Sequence, residues 1–170
     1  MMPKYILVAA VALLTGFSTG RAQTPPARTN IPVAADTPGL KITGNKTAKV
    51  ENMEGGGIRI SFNHTGEKRS GIGIQYTFAE PVTATNMGFE FRQAETEKLA
   101  ASGVFGEKLT LKKQLDRMGP ELFPYTVDFS YLASEAKTNI EGKLKSVSIS
   151  FRISPQSGER FVELKNWWVE

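Results

Sequence analysis

In residues 146–153, Val147, Ile149, Phe151 and Ile153 alternate strictly with Ser146, Ser148, Ser150 and Arg152. A helix would scatter those four apolar side chains around its axis. A strand puts all four on one face and the polar four on the other. The same two-residue period recurs in Gly57–Asn63, Gly71–Phe78, Met87–Arg92 and Tyr125–Tyr131. A final strand is expected over Arg160–Val169, with weaker ones near Lys46–Asn52 and Glu107–Lys112. About eight short strands of this kind predict an all-β chain, folded as a two-sheet antiparallel β-sandwich. Its expected core is Ile58, Ile60, Phe62, Ile72, Ile74, Tyr76, Phe78, Phe89, Phe91, Val127, Phe129, Val147, Ile149, Phe151, Val162 and Leu164.

Turn residues separate the runs. Gly55-Gly56-Gly57 precedes the first clear strand, and His64–Gly71 is a polar loop. Glu80-Pro81 ends a strand, Gly119-Pro120 and Phe123-Pro124 break the chain, and Ser154–Gly158 is a hairpin turn. Residues 93–101 (QAETEKLAA) are good helix formers, long enough for two turns in a connection. Lys112–Met118 fits either a strand end or a helical turn.

Residues 1–22 combine Lys4, an apolar run from Tyr5 to Leu14 and the small residues Gly16, Ser18, Gly20 and Ala22. This is the pattern of a secretory signal peptide cleaved after Ala22. The run is too short for the ~20 residues that span a bilayer, and no second run approaches that length, so no membrane span is expected after cleavage. Residues 23–44 open with four prolines by position 38 and read as a disordered linker. That leaves 45–170 as the folded domain. Secretion without a single cysteine favours a bacterial secreted or periplasmic protein. The sequons at Asn45 and Asn63 would matter only in a eukaryotic secretory pathway.

Composition excludes much chemistry. Without Cys there is no disulfide scaffold, thiol nucleophile or cysteine zinc site. With one His, His64, no multi-histidine metal site can be built, and that residue reads as a surface loop histidine. The formal charge of +4 falls to +2 once Lys4 and Arg21 leave with the signal peptide. The densest basic group, Lys112, Lys113 and Arg117, is punctuated by acids, so no nucleic-acid partner is expected.

The polar faces carry the functional reading. Gly73, Gln75 and Thr77 face outward on one strand, Gly88, Glu90 and Arg92 on the next, then Asp128, Ser130, Ser148, Ser150 and Arg152. On one sheet they would set planar hydrogen-bonding groups among small polar residues, which suits paired hydrogen bonds to sugar diols. Trp167-Trp168 lies on the last strand, where neighbours point to opposite faces. With Val162 and Leu164 inward, Trp168 should fill the core and Trp167 should stand outward as a stacking surface, an order that a bulge would reverse. The expected ligand-binding set is Gln75, Glu90, Arg92, Asp128, Arg152 and Trp167. No cofactor or metal is expected.

In order of features, Gly56–Phe62, Ile72–Phe78, Glu80-Pro81-Val82, Gly88-Phe89-Glu90-Phe91-Arg92, Val147–Ile153 and Phe161–Val169 resemble the galactose-binding-like β-jelly-roll. Carbohydrate-binding modules of the family 11 kind and complex-I-intermediate-associated domains share that plan. The resemblance covers roughly residues 45–170 and implies a jelly roll that binds glycan on one sheet face without catalysis. It has one departure. The last strand of such modules commonly reads apolar-Asp-Asn-apolar and helps hold a structural calcium. Here it reads Leu164-Lys165-Asn166-Trp167, and a lysine cannot ligate a hard cation. The alternative function is a structural or protein-interaction sandwich of the cell envelope with no small-molecule ligand. A third, a hydrolase, would require Glu90 and Asp128 to meet across strands.

Overall fold

The computed structural model of the chain describes residues 27–44, 47–64, 69–93, 96–116, 120–153 and 156–170. Residues 1–26, where the signal peptide is expected, Asn45, the loop at 65–68 and the turn at Ser154-Pro155 lie outside the described residues, as does the side chain of His64.

The two-residue period becomes two antiparallel sheets. The six-stranded sheet runs β3 (Lys49–Asn52), β4 (Ile58–His64), β11 (Gln156–Val169), β6 (Asn86–Gln93) and β9 (Phe123–Asp128), with β1 (Thr29–Asn30) added along the end of β11. The five-stranded sheet runs β2 (Leu40–Thr43), β5 (Ser70–Val82), β10 (Leu144–Ile153), β7 (Thr96–Phe105) and β8 (Leu109–Gln114). Of the expected core, all but Tyr76 and Phe78 are buried, and those two are half-buried with their rings edge-on at 5.1 Å. Phe151 of the five-stranded sheet meets Phe91 at 5.6 Å and Phe62 at 6.2 Å in the other sheet. Phe89 continues the row, 6.4 Å from Phe91 and stacked on Tyr125 at 5.4 Å.

Four expectations about the elements are corrected. The described residues of 93–101 form no helix: Gln93 ends β6, and Thr96 onward is β7, a strand of the five-stranded sheet between β10 and β8. A helix this short has little stability of its own, and in the strand Leu99 and Ala101 are buried in the core. The alternation of Tyr125–Tyr131 ends early, because Asp128 caps α1 (Phe129–Glu135), its Oδ1 accepting from Tyr131 N at 2.9 Å. Phe129 and Ala133, one helical turn apart, then carry burial into the core. The segment expected as linker through residue 44 is partly structured. Thr29–Asn30 pairs with Val169 and Trp168, Ile31 is buried, and Leu40–Thr43 pairs with β5. Their alternation is too short to register as a pattern. Pro81 lies within β5 and does not end it. Pairing to β10 skips from Thr77 to Val82, so the proline's missing N–H falls in the unpaired stretch.

The tryptophan order is reversed by a bulge. Three steps along β11, Lys165 to Trp168, face two along β6, Glu90 to Gly88, and Asn166 adopts a left-handed φ of 47°. Trp167 turns inward, 1% exposed, with its ring 6.4 Å from Tyr76. Trp168 turns outward and lies flat on Gly88, where a Cβ would sit well inside van der Waals contact with the indole. Gly88→Ala is therefore expected to displace Trp168 and to lower stability by about 1–3 kcal/mol. Thermal denaturation and a change in tryptophan emission check this together.

Candidate functional site

The expected ligand set divides between the two outer surfaces of the sandwich. Gln75 and Arg152 stand on the five-stranded sheet, and Glu90, Arg92 and Asp128 on the six-stranded sheet. Trp167 belongs to neither surface, because the Asn166 bulge buries it. One sheet face cannot collect all six residues.

On the six-stranded sheet, Arg92 is occupied. Glu163, on β11 between β4 and β6, is buried, and its Oε1 accepts from Arg59 Nε at 3.0 Å and Arg59 Nη2 at 2.6 Å. Arg92 Nη1 lies 3.5 Å from the other oxygen, Oε2. Both guanidiniums also lie over Phe161, at 4.6 and 5.1 Å from its centroid. This cluster ties three strands together across their outer face. Glu90 lines a separate cleft of about 540 Å³ beside Trp168, whose ring is already covered by Arg28 at 3.8 Å. Asp128 serves as a helix cap. It pairs with Asn86, whereas Glu90 pairs with Pro124, four residues further along both strands. At about 3.4 Å per residue that sets their backbones roughly 14 Å apart along the strands, wider than the ~5–9.5 Å between the carboxyl groups of a glycosidase pair.

The five-stranded sheet presents a different surface, and its register builds it row by row. Lys41, Gln75, Ser148, Ser102 and Lys112 lie side by side across the five strands. Thr43, Gly73, Ser150, Ala100 and Gln114 form the next row, and Gly71 and Arg152 begin a third. The middle of each row is small, so the floor is low and the long side chains stand at the margins. The resulting groove is about 360 Å³, rimmed by Lys98, Lys112, Gln114 and Arg152. Short bonds fix its parts: Ser102 Oγ to Ser148 Oγ at 2.8 Å, and Gln114 Nε2 donating to Leu99 O at 3.1 Å. Gly73 is required because a Cβ there would stand 2.9 Å from Thr43 Oγ1. The sequence pattern marks Gln75, Ser148, Ser150 and Arg152 as outward. It misses Thr43, Lys98, Lys112 and Gln114, since two of their strands are read there as linker and helix and only the sheet order brings all four to one face.

Neither a protein-family model nor a curated protein matches the sequence. Solved structures do match. A family 11 carbohydrate-binding module from Clostridium thermocellum, in complex with a β-1,3-1,4-mixed-linked tetrasaccharide, superposes with a TM-score of 0.52 at 10% identity, over 84% of this chain and 94% of that one. A variant of a family 29 carbohydrate-binding module aligns at TM-score 0.47 and 16% identity, over 84% and 91%. A family 61 module in complex with β-1,4-galactotriose aligns at 0.49 and 11%, over 77% and 87%. The first of these establishes the fold. The chain is a two-sheet β-jelly-roll with the architecture of that module, as the strand pattern and the resemblance imply.

Breaking a fully buried ion pair costs about 3–5 kcal/mol. The side chains of Arg59 and Arg92 are 44% and 38% exposed, so solvent screens part of this. Glu163→Ala is expected to cost about 2 kcal/mol in urea denaturation. Glu90→Ala, on the same sheet but outside the cluster, is expected to change stability by less than about 0.5 kcal/mol.

Proposed function

We propose that this chain is an exported, non-catalytic glycan-binding module that takes its ligand along the outer face of the five-stranded sheet. The observation that carries the reading is the groove itself. Its floor is Gly71, Gly73, Ala100 and Ser150, its margins hold Thr43, Gln114 and Arg152, and Gln75 stands in the adjoining row. A sugar chain laid across the strands along the row Lys41, Gln75, Ser148, Ser102 and Lys112 meets a new polar group about every 4.8 Å. Each neutral hydrogen bond contributes about 0.5–1.5 kcal/mol, and those to Arg152 about 1.5–3 kcal/mol. Small floor residues let the pyranose edge approach the backbone without a clash. The fold adds support, since the solved module with the same architecture holds an oligosaccharide. The signal-peptide pattern of residues 1–22 supports export. The scattered carboxylates of the other face support binding without hydrolysis.

Affinity gel electrophoresis of the domain against a panel of polysaccharides tests this. Retardation by at least one polymer is expected, weakened about tenfold or more by Gln75→Ala combined with Arg152→Ala. Glu90→Ala on the opposite surface is expected to leave it unchanged. A folded domain that no polysaccharide retards would overturn the proposal and favour the envelope-protein alternative.

A further inference from the structure

We infer that the ligand of the five-stranded face is an anionic polysaccharide, one whose sugars carry carboxylate or sulfate groups. The inference rests on the glycan-binding reading and adds the charge of the ligand to it. Three observations lead there.

The first is charge segregation. Lys41, Lys98, Lys112 and Arg152 all stand on this face, and none of them makes an ion pair among the described residues. No carboxylate occurs among the described side chains of the face. The register places a single acid, Glu97, opposite Arg152 at the groove's end. On the other sheet most cations have an acid beside them: Glu51 pairs in register with Arg59, Glu90 with Lys165, and Glu163 holds Arg59 and Arg92, while Lys49 stands opposite Ser61. Four cations without an ion pair among the described residues thus gather on one surface.

The second is spacing. Lys41 and Lys112 close the two ends of one five-strand row, about 19 Å apart at ~4.8 Å per strand. A single small anion cannot bridge that distance, but a polymer with repeated acidic groups can. The floor between them carries Gln75, Ser148 and Ser102, neutral partners for hydroxyls. Phe151, the aromatic residue among those lining the groove, turns its ring into the core, so the groove's described lining offers no exposed stacking platform of the kind that single-stranded nucleic acid requires.

The third is strain at Lys98. It adopts a φ of 51°, a conformation that L residues rarely take, at a bulge where Ser150 and Arg152 face Ala100 and Glu97. Bulges re-aim side chains, and strained backbone tends to be retained where a site needs it. Here the bulged residue is a cation that lines the groove.

The test compares matched polymers: polygalacturonate against its fully methyl-esterified form, and a sulfated galactan against its desulfated form. Mixed-linked β-glucan and a single-stranded oligonucleotide complete the set. The expected result is binding to at least one acidic polymer, tenfold or more weaker for its neutral counterpart, and declining as salt rises from about 0.05 to 0.5 M. Lys98→Ala and Lys112→Ala should each weaken it, and Arg152→Lys should retain more than Arg152→Gln, with circular dichroism confirming the fold of every variant. Equal affinity for acidic and neutral partners would overturn the charge inference while leaving glycan binding intact. Binding to no polymer by the folded domain would overturn both. Tighter binding of the oligonucleotide would overturn the assignment of a polysaccharide.

Discussion

The contact of Phe151 with Phe62 and Phe91 joins the two sheets, and the rest of the molecule follows from it. Each ring comes from a strand near the middle of its sheet, so the apolar faces meet along their centres and the strand edges wrap outward. The alternation then has no freedom left. Once Ile149 and Phe151 point in, Ser148, Ser150 and Arg152 must point out. The outer surface of the five-stranded sheet is therefore a consequence of core packing. Losing the Phe151 ring would remove about 3–5 kcal/mol of stability and also blur the register that aligns the polar rows.

The two outer surfaces show two uses of the same side-chain types. On the six-stranded sheet arginine is consumed internally: Glu163 and Phe161 hold Arg59 and Arg92 in place. On the five-stranded sheet the cations stand apart over a floor of glycine, alanine and serine. A residue on the first surface contributes chiefly to holding strands β4, β11 and β6 together. One on the second has little to hold and is available to a ligand. The same distinction separates Asp128, bonded to a helix terminus, from Gln75, which stands between Lys41 and Ser148 in an open row.

The strands with strict alternation were legible in the sequence, and so was the core, because burial on one side of a sheet imposes period two directly. The architecture followed from the number of such runs. What stayed hidden was everything decided by tertiary context. Residues 96–101 prefer helix locally and are held as strand by their neighbours on both sides. Asp128 fits a strand residue as well as a cap until the following Ser-Tyr-Leu-Ala turns helical. Trp167 and Trp168 exchange faces through one left-handed residue, Asn166, whose bulge leaves no periodic trace. The binding face was half visible. Gln75 and Arg152 belong to strong alternating strands, whereas Thr43, Lys98, Lys112 and Gln114 reach the groove only because β2, β7 and β8 fall in that order around β5 and β10.

The pairing of Thr29–Asn30 with Trp168 and Val169 brings the first and last strands together as neighbours, reinforced by Arg28 and Glu170 at 3.5 Å. Tension applied between the two ends of the fold would act on this short ladder from its open end. It would part the bonds one after another, where a shear geometry would share the load among them. The domain would thus yield first by peeling at its terminal seam, on the sheet opposite the groove, and the groove would keep its shape while the seam opened.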